Sequence, residues 1–194
     1  MGAGLIENIE KVKSWDHYFY NMAATVASNS KCMSRMIGAV LVRDKRVVST
    51  GYNGPPVGVP ICNRRWEEDK HLRELYAEQN NLQEAEVVEM IRKGHFLSKC
   101  PRRYINHESS QGLEWCVAGH AEENAIVNAA RLGTEAKGTK MYMTCNIPCS
   151  KCLVKILNAG IDEIIVTGFE LYDGPSSSYL MKTSGLKVRK YNFI

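Results

Sequence analysis

From residue 118 to the C-terminal end, helix-length and strand-length segments take turns. A helical stretch over residues 118–132 stops at Gly133, the strand-like "KMYMT" follows, then the helical "CSKCLVKILNAG" stopped by Gly160, then the strand-like "DEIIVTG". After "GPSSS" come a short helix and a last strand, "LKVRKYNF". Strands separated by whole helices cannot be joined as hairpins, so at least part of the sheet must be parallel and covered by helices. Upstream, residues 15–28 carry apolar side chains at helical spacing, and "MIGAVLVR" and "RVVSTGY" read as a hairpin turning at Asp44 and Lys45. The expectation is an α/β fold in three layers, with a central mixed sheet of five strands flanked by helices.

One stretch does not fit this alternation. Residues 64–93 are dense in Glu, Leu, Arg and Ala with charges of both signs, which favours exposed helix, and "SKCPRRYINHESSQG" should be loop. Residues 64–112 therefore read as a helical insertion into a single domain spanning 1–194, a length sufficient for one core. The formal charge of +4 suits a small phosphorylated ligand and does not call for a polyanion, so nucleic acid is not indicated. No run of 18 apolar residues is present, and the N-terminal segment lacks the basic-then-apolar pattern of a leader, so the expected compartment is the cytosol and no membrane partner is expected. Gly2 lacks the Ser or Thr at position six that myristoylation favours. Seven cysteines in a reducing compartment are expected to be metal ligands or free thiols.

Two of those thiols, Cys149 and Cys152 in "IPCSKC", open a helix directly after a strand, where the helix dipole and unpaired amides favour thiolate. Taken alone, the pair is equally a redox site or half of a structural zinc site. Upstream, "GHAEENAI" places His120 and Glu122 at the start of another helix. One imidazole and two thiolates give zinc three ligands and leave a fourth position open to water, the arrangement of a catalytic site. The plainer alternative makes His120 a helix cap and Glu122 a solvated first-turn acid. His-x-Glu followed by Pro-Cys-x-x-Cys is, however, the signature of zinc nucleobase deaminases.

Beyond those motifs, "SKCMSRMIGAVLVRDKRVVSTGYNGPPVGVPIC", "HAEENAI", "MYMTCNIPCSKC", "LNAGIDEIIV" and "ELYDG" together resemble the deoxycytidylate (dCMP) deaminases over most of residues 14–173; the insertion matches poorly. The transfer-RNA adenosine deaminases resemble a shorter design, whereas here 66 residues separate Asn53 from His120. Free cytidine deaminases typically carry cysteine where this chain has His120.

The resemblance implies a cytidine-deaminase-like fold and hydrolysis of dCMP to dUMP and ammonia, supplying dUMP for thymidylate synthesis. It implies catalytic Zn²⁺ on His120, Cys149 and Cys152, with Glu122 shuttling protons between water, the ring nitrogen next to carbon four and the leaving amine. The Ala121 amide would hold the pyrimidine carbonyl, Asn53 the deoxyribose hydroxyl, and Ile147 and Tyr172 would pack on the base; the alternative for Asn53 is a turn residue next to Gly54, and Tyr172 is equally core. Lys31, Arg35, Arg64 and Arg65 flank the relevant loops, but none is singled out for the phosphate. Some phage and bacterial members bind a second, structural zinc, for which Cys32, Cys62, His107 and Cys116 are the matching candidates, with Cys100 competing for the place of Cys116; the alternative is buried free thiols. The family is typically a homohexamer, activated by dCTP and inhibited by dTTP with Mg²⁺ on the triphosphate. Gly51, Tyr52, Asn53, Gly54 and Gly58 resemble the effector-contacting segment, and Arg131 a subunit-contact position. Competing readings are an enzyme that also accepts dCTP, a nucleic-acid cytidine or adenosine deaminase, and a zinc protein without catalysis.

Overall fold

The computed structural model describes residues 11–108 and 111–193. The stretch that bears on a leader or on Gly2 acylation, and Ser109 and Ser110 of the insertion, lie outside the described residues.

The elements run α1 (Trp15–Ala27), β1 (Gly38–Arg43), β2 (Arg46–Tyr52), α2 (Arg65–Glu68), α3 (Lys70–Asn80), α4 (Glu84–Arg92), α5 (Pro101–Tyr104), α6 (Ala121–Arg131), β3 (Lys140–Met143), α7 (Ser150–Asn158), β4 (Glu163–Val166), α8 (Pro175–Thr183) and β5 (Lys187–Lys190). The sheet has the order β2-β1-β3-β4-β5. β1 is antiparallel to both β2 and β3, while β3, β4 and β5 are parallel, so the sheet is mixed as expected. The β1–β2 turn puts Asp44 and Lys45 at φ 51° and 60°, the left-handed pair that a two-residue hairpin needs.

Side-chain alternation divides the core. Ala39, Leu41, Met141, Met143, Ile164 and Val166 face α6 and α7, meeting Ala121, Ala125, Leu153 and Ile156. Val40, Val42, Tyr142 and Ile165 face α1, meeting Phe19 and Ala23. The strands are apolar on both faces, which is why they read as unbroken hydrophobic runs. Two glycines permit the closest helix–sheet approaches. A Cβ on Gly38 would lie 2.1 Å from the Ala23 carbonyl oxygen, and one on Gly51 would lie 2.2 Å from the Ala125 nitrogen.

The insertion differs from its expectation in two respects. Its helices are not simply exposed: Trp66, Leu72, Tyr76, Val87, Phe96 and Ile105 form a separate buried cluster, with Trp66 stacked on Phe96 at 4.0 Å. Residues 98–112 are not all loop, because Pro101 presets the first turn of α5 and Ile105, just beyond it, is buried in that cluster. The helix expected from residue 118 starts at Ala121, because Gly119 is held extended in a bridge to Gly54.

Candidate active site

Two helix starts converge at the C-terminal end of β3. His120 is the N-cap of α6 and Cys149 the N-cap of α7, whose third residue is Cys152. His120 Nδ1 lies 3.6 Å from Cys149 Sγ and 3.2 Å from Cys152 Sγ, and the three donor atoms are all within 4.8 Å of one another. Zinc bond lengths of about 2.0 Å to nitrogen and 2.3 Å to sulfur, at a tetrahedral angle, separate those ligands by about 3.5 Å. The geometry and the borderline-soft donor set therefore fit zinc.

Hydrogen bonds couple the three groups to one another. A hydrogen bond with Cys152, then one with His120, outweighs burial and holds the Cys149 thiol down to about 4. The same bond, with burial, pushes Cys152 up, and the bond to Cys149 raises His120 against its own burial.

Glu122, the second residue of α6, is 4 % exposed, and burial pushes its carboxyl up while its own backbone amide and His120 oppose. Its Oε1 lies 4.0 Å from the Cys145 thiol, which burial and then the Glu122 charge push well up. A carboxyl so placed has the chemistry to accept and give a proton in a site sheltered from bulk water.

Several contacts fix these helix starts. Asn124 and Asn128 on α6 donate to the Tyr52 and Thr50 carbonyls of β2, and Ser49 donates to the Ala125 carbonyl. Gly54 and Gly119 exchange two backbone hydrogen bonds, which tether the residue before His120. Glu123 pairs with Lys155, joining α6 to α7. Asp173 accepts from the Ser150 amide at 2.7 Å and from the Ser150 and Ser177 hydroxyls, so it caps α7 where the cysteines sit.

The cleft in front of the site encloses about 180 Å³. It gathers Asn53, Ala121, Glu122, Ile147 and Tyr172 beside His120 and Cys149. The Ala121 amide has no hydrogen-bond partner among the described residues. Asn53 Oδ1 accepts from Ser30 and from the Ile37 amide, and Nδ2 donates to the Arg35 carbonyl, all at 2.8 Å; one amide hydrogen is left for a ligand. Tyr172 is half-buried in the cleft wall with the Arg35 guanidinium over its ring, so it is not core.

Of the four cations considered for a phosphate, only Arg35 lines the cleft. Arg64 pairs with Glu67, Arg65 with Asp69, and Lys31 packs its backbone against Gly54. Of the effector candidates, Gly51 lies under α6 and Asn53 and Gly54 are buried, while Tyr52 and Gly58 are exposed.

The donor atoms of Cys32, Cys62, His107 and Cys116 do not come as close together as the first set. Cys62 nevertheless has thiol neighbours: burial, then Cys100, Cys32 and Cys116, push it up to about 11. The His107 ring packs on Gly112, where an added Cβ would lie 2.3 Å away.

Sequence reasoning missed Cys145, Asp173 as the α7 cap, and Arg102, which is 8 % exposed and lines the cleft. "ELYDG" held the only pointer to Asp173, and nothing local distinguishes Arg102 from Arg103.

Comparison with known proteins bears on the same residues. Residues 13–168 match the cytidine and deoxycytidylate deaminase zinc-binding region. The chain is 34 % identical over 180 residues to the deoxycytidylate deaminase of Saccharomyces cerevisiae, covering 93 % of this chain and 46 % of that one. It is 32 % identical to the deoxycytidylate deaminase of Enterobacteria phage T4, covering 86 % of this chain and 84 % of that one. The chain thus spans about half the length of its yeast relatives. The dCMP deaminase of cyanophage S-TIM5, solved in complex with dCMP and dUMP, has the same fold, with a TM-score of 0.58 at 17 % identity over 93 % of this chain and 99 % of that one.

Proposed function

The chain belongs to the cytidine and deoxycytidylate deaminase family, and from that premise we propose that it hydrolyses dCMP to dUMP with release of ammonia. The observation that carries the reading is the meeting of His120, Cys149 and Cys152 within 4.8 Å beside buried Glu122, at the end of a cleft that holds Asn53 and Ala121. The names of the yeast and phage relatives support the choice of dCMP.

Zinc held by His120, Cys149 and Cys152 would supply a Lewis acid that activates water at its fourth position. Glu122 takes a proton from the attacking water and delivers it to the ring nitrogen next to carbon four, then carries the proton of the new carbon-four hydroxyl to the amine, which leaves as ammonia and leaves a carbonyl behind. Its burial favours a carboxyl that both accepts and gives. The free Ala121 amide donates to the pyrimidine carbonyl, the spare hydrogen of Asn53 Nδ2 to the deoxyribose hydroxyl, and Ile147 and Tyr172 pack against the base. Water adds, ammonia leaves, and the carboxylate returns to its starting state.

The same reading includes finer features. A second zinc among Cys32, Cys62, His107, Cys116 and Cys100 is supported by the thiols around Cys62; metal analysis should give two zinc ions per chain, and one would reject it. Regulation by dCTP and dTTP with Mg²⁺ is supported by the exposure of Tyr52 and Gly58 in "GYNGPPVG", and a velocity curve unchanged by dCTP would remove it. A homohexamer using Arg131 is supported by the exposure of Arg131, Leu132 and Val127 on one helix end, and light scattering of the native protein reads it. No helix among the described residues is long and apolar enough to cross a membrane.

The test is ammonia release from dCMP, dCTP, deoxycytidine and single-stranded DNA in parallel, with Glu122→Gln as control. Turnover of dCMP above the rest is expected. Comparable turnover of dCTP would establish the broader specificity, and turnover of DNA alone would overturn the proposal.

A further inference from the structure

Arg102 is the one described arginine that is buried, and it is buried without a carboxylate. Its counterparts in the insertion are balanced: Arg65 by Asp69, Arg73 by Glu84, Arg103 by Glu108. Arg102 donates through Nη1 to the Gln111 carbonyl, while its buried Nε has no partner among the described residues. A guanidinium is always charged at physiological pH, so withdrawing it from water with no counter-ion is a cost that the fold recovers only when an anion arrives.

Its position tells where the anion would come from. Arg102 lines the same cleft as His120, Glu122 and Asn53. α5 is held there by the insertion: Pro101 starts it and Ile105, just past its end, is locked in the cluster of Trp66, Tyr76 and Phe96. The insertion thus forms a wall that delivers one cation to a cleft otherwise lined by the start of α6 and by the loops before β1, after β2, after β3 and after β4. A forked, planar donor suits the oxygens of a phosphate monoester. The cleft's other arginine, Arg35, is exposed and lies over the Tyr172 ring.

We propose that Arg102 receives the 5′-phosphate of the substrate nucleotide and is the residue by which the cleft prefers a nucleotide to a nucleoside. This rests on the deamination reading above.

The experiment compares zinc-loaded wild type, Arg102→Gln, Arg102→Lys and Arg35→Gln on dCMP and on deoxycytidine by ammonia release, with zinc content and melting temperature measured on the same samples. Losing charge-assisted hydrogen bonds should raise KM for dCMP in Arg102→Gln by about 10- to 100-fold, with kcat and the turnover of deoxycytidine within about threefold. Arg102→Lys should regain part of the loss. Equal losses on dCMP and deoxycytidine would show that Arg102 only braces the Gln111 loop and would overturn the inference. So would an unchanged KM for dCMP, or discrimination lost in Arg35→Gln and kept in Arg102→Gln. Should Arg102→Gln not fold, inorganic phosphate serves as probe: it should compete with dCMP in wild type and compete less well in Arg102→Lys, and no competition, or equal competition, rejects the inference. A wild type that turns over dCMP and deoxycytidine equally rejects the inference while the deaminase reading stands, whereas one that turns over neither rejects both.

Discussion

On the proposed reading, Glu122 and the three candidate zinc donors do separable work. Glu122→Gln keeps the volume and the hydrogen-bonding shape but cannot carry a proton, so kcat for dCMP should fall by about 10²- to 10⁴-fold while zinc content stays unchanged. Ammonia release and metal analysis on one preparation check both halves; a variant that loses its zinc would show Glu122 to be structural instead. These residues were legible because their spacing is chemistry: His-x-Glu and Pro-Cys-x-x-Cys each need a helix start, and the sequence signals two helix starts with a strand between. Arg102 was not legible, because burial is decided by what packs around α5 and not by its neighbours in the chain. Asn53 was legible as a cleft residue, but its three internal bonds, which leave a single hydrogen for ligand, depend on Ser30, Arg35 and Ile37 folding back over it.

At the scale of elements, the site is a matter of how closely α6 and α7 are held. α6 presses on β2 only because residue 51 has no side chain. Gly51→Ala would put a Cβ 2.2 Å from the Ala125 nitrogen and 2.3 Å from the Ala121 carbonyl oxygen, both backbone atoms that cannot swing aside. Such overpacking should cost about 1–3 kcal/mol, a fall in melting temperature of several degrees, and should lower kcat because His120 and Glu122 move with the helix. A melting scan and a rate measurement check it, and an unchanged melting temperature would contradict the close packing. On the other helix, Asp173→Ala removes the cap on Ser150 without touching a ligand. Zinc affinity should fall by about 10- to 100-fold, as for other supports of metal ligands, read as faster transfer to a chromogenic chelator. The core helices and strands were readable from their periodicity. The insertion's own cluster was not, since Trp66, Leu72, Tyr76, Phe96 and Ile105 are spread among charged residues at no single period.

Across the whole molecule, the N-terminal helix is tied to the far edge of the sheet by charge. Arg189 on β5 holds Asp16 on α1 and Glu163 on β4, and Asp16 also accepts from the Asn192 amide. Burial alone would raise Asp16, but these hydrogen bonds outweigh it and hold its carboxyl below the ordinary 3.8. A group depressed in the folded state stabilises the fold above its unfolded pKa and loses that contribution as pH falls through its folded one. Urea unfolding should therefore show stability falling from pH 6 to pH 3, and Asp16→Asn should be less stable at pH 6 with a flatter acid limb; equal slopes would contradict the tie. The strand order β2-β1-β3-β4-β5 lay beyond sequence reading for a related reason: alternation demands parallel strands, while their order depends on pairings between residues a hundred positions apart, such as Val40 with Tyr142. The centre of the account is one zinc on His120, Cys149 and Cys152 that serves deamination of dCMP. Zinc per chain, measured with ammonia release in wild type and in the Cys149→Ala/Cys152→Ala double variant, tests it most directly. The double variant should hold one zinc fewer and fall to background turnover, and an unchanged zinc content or a surviving rate would contradict it.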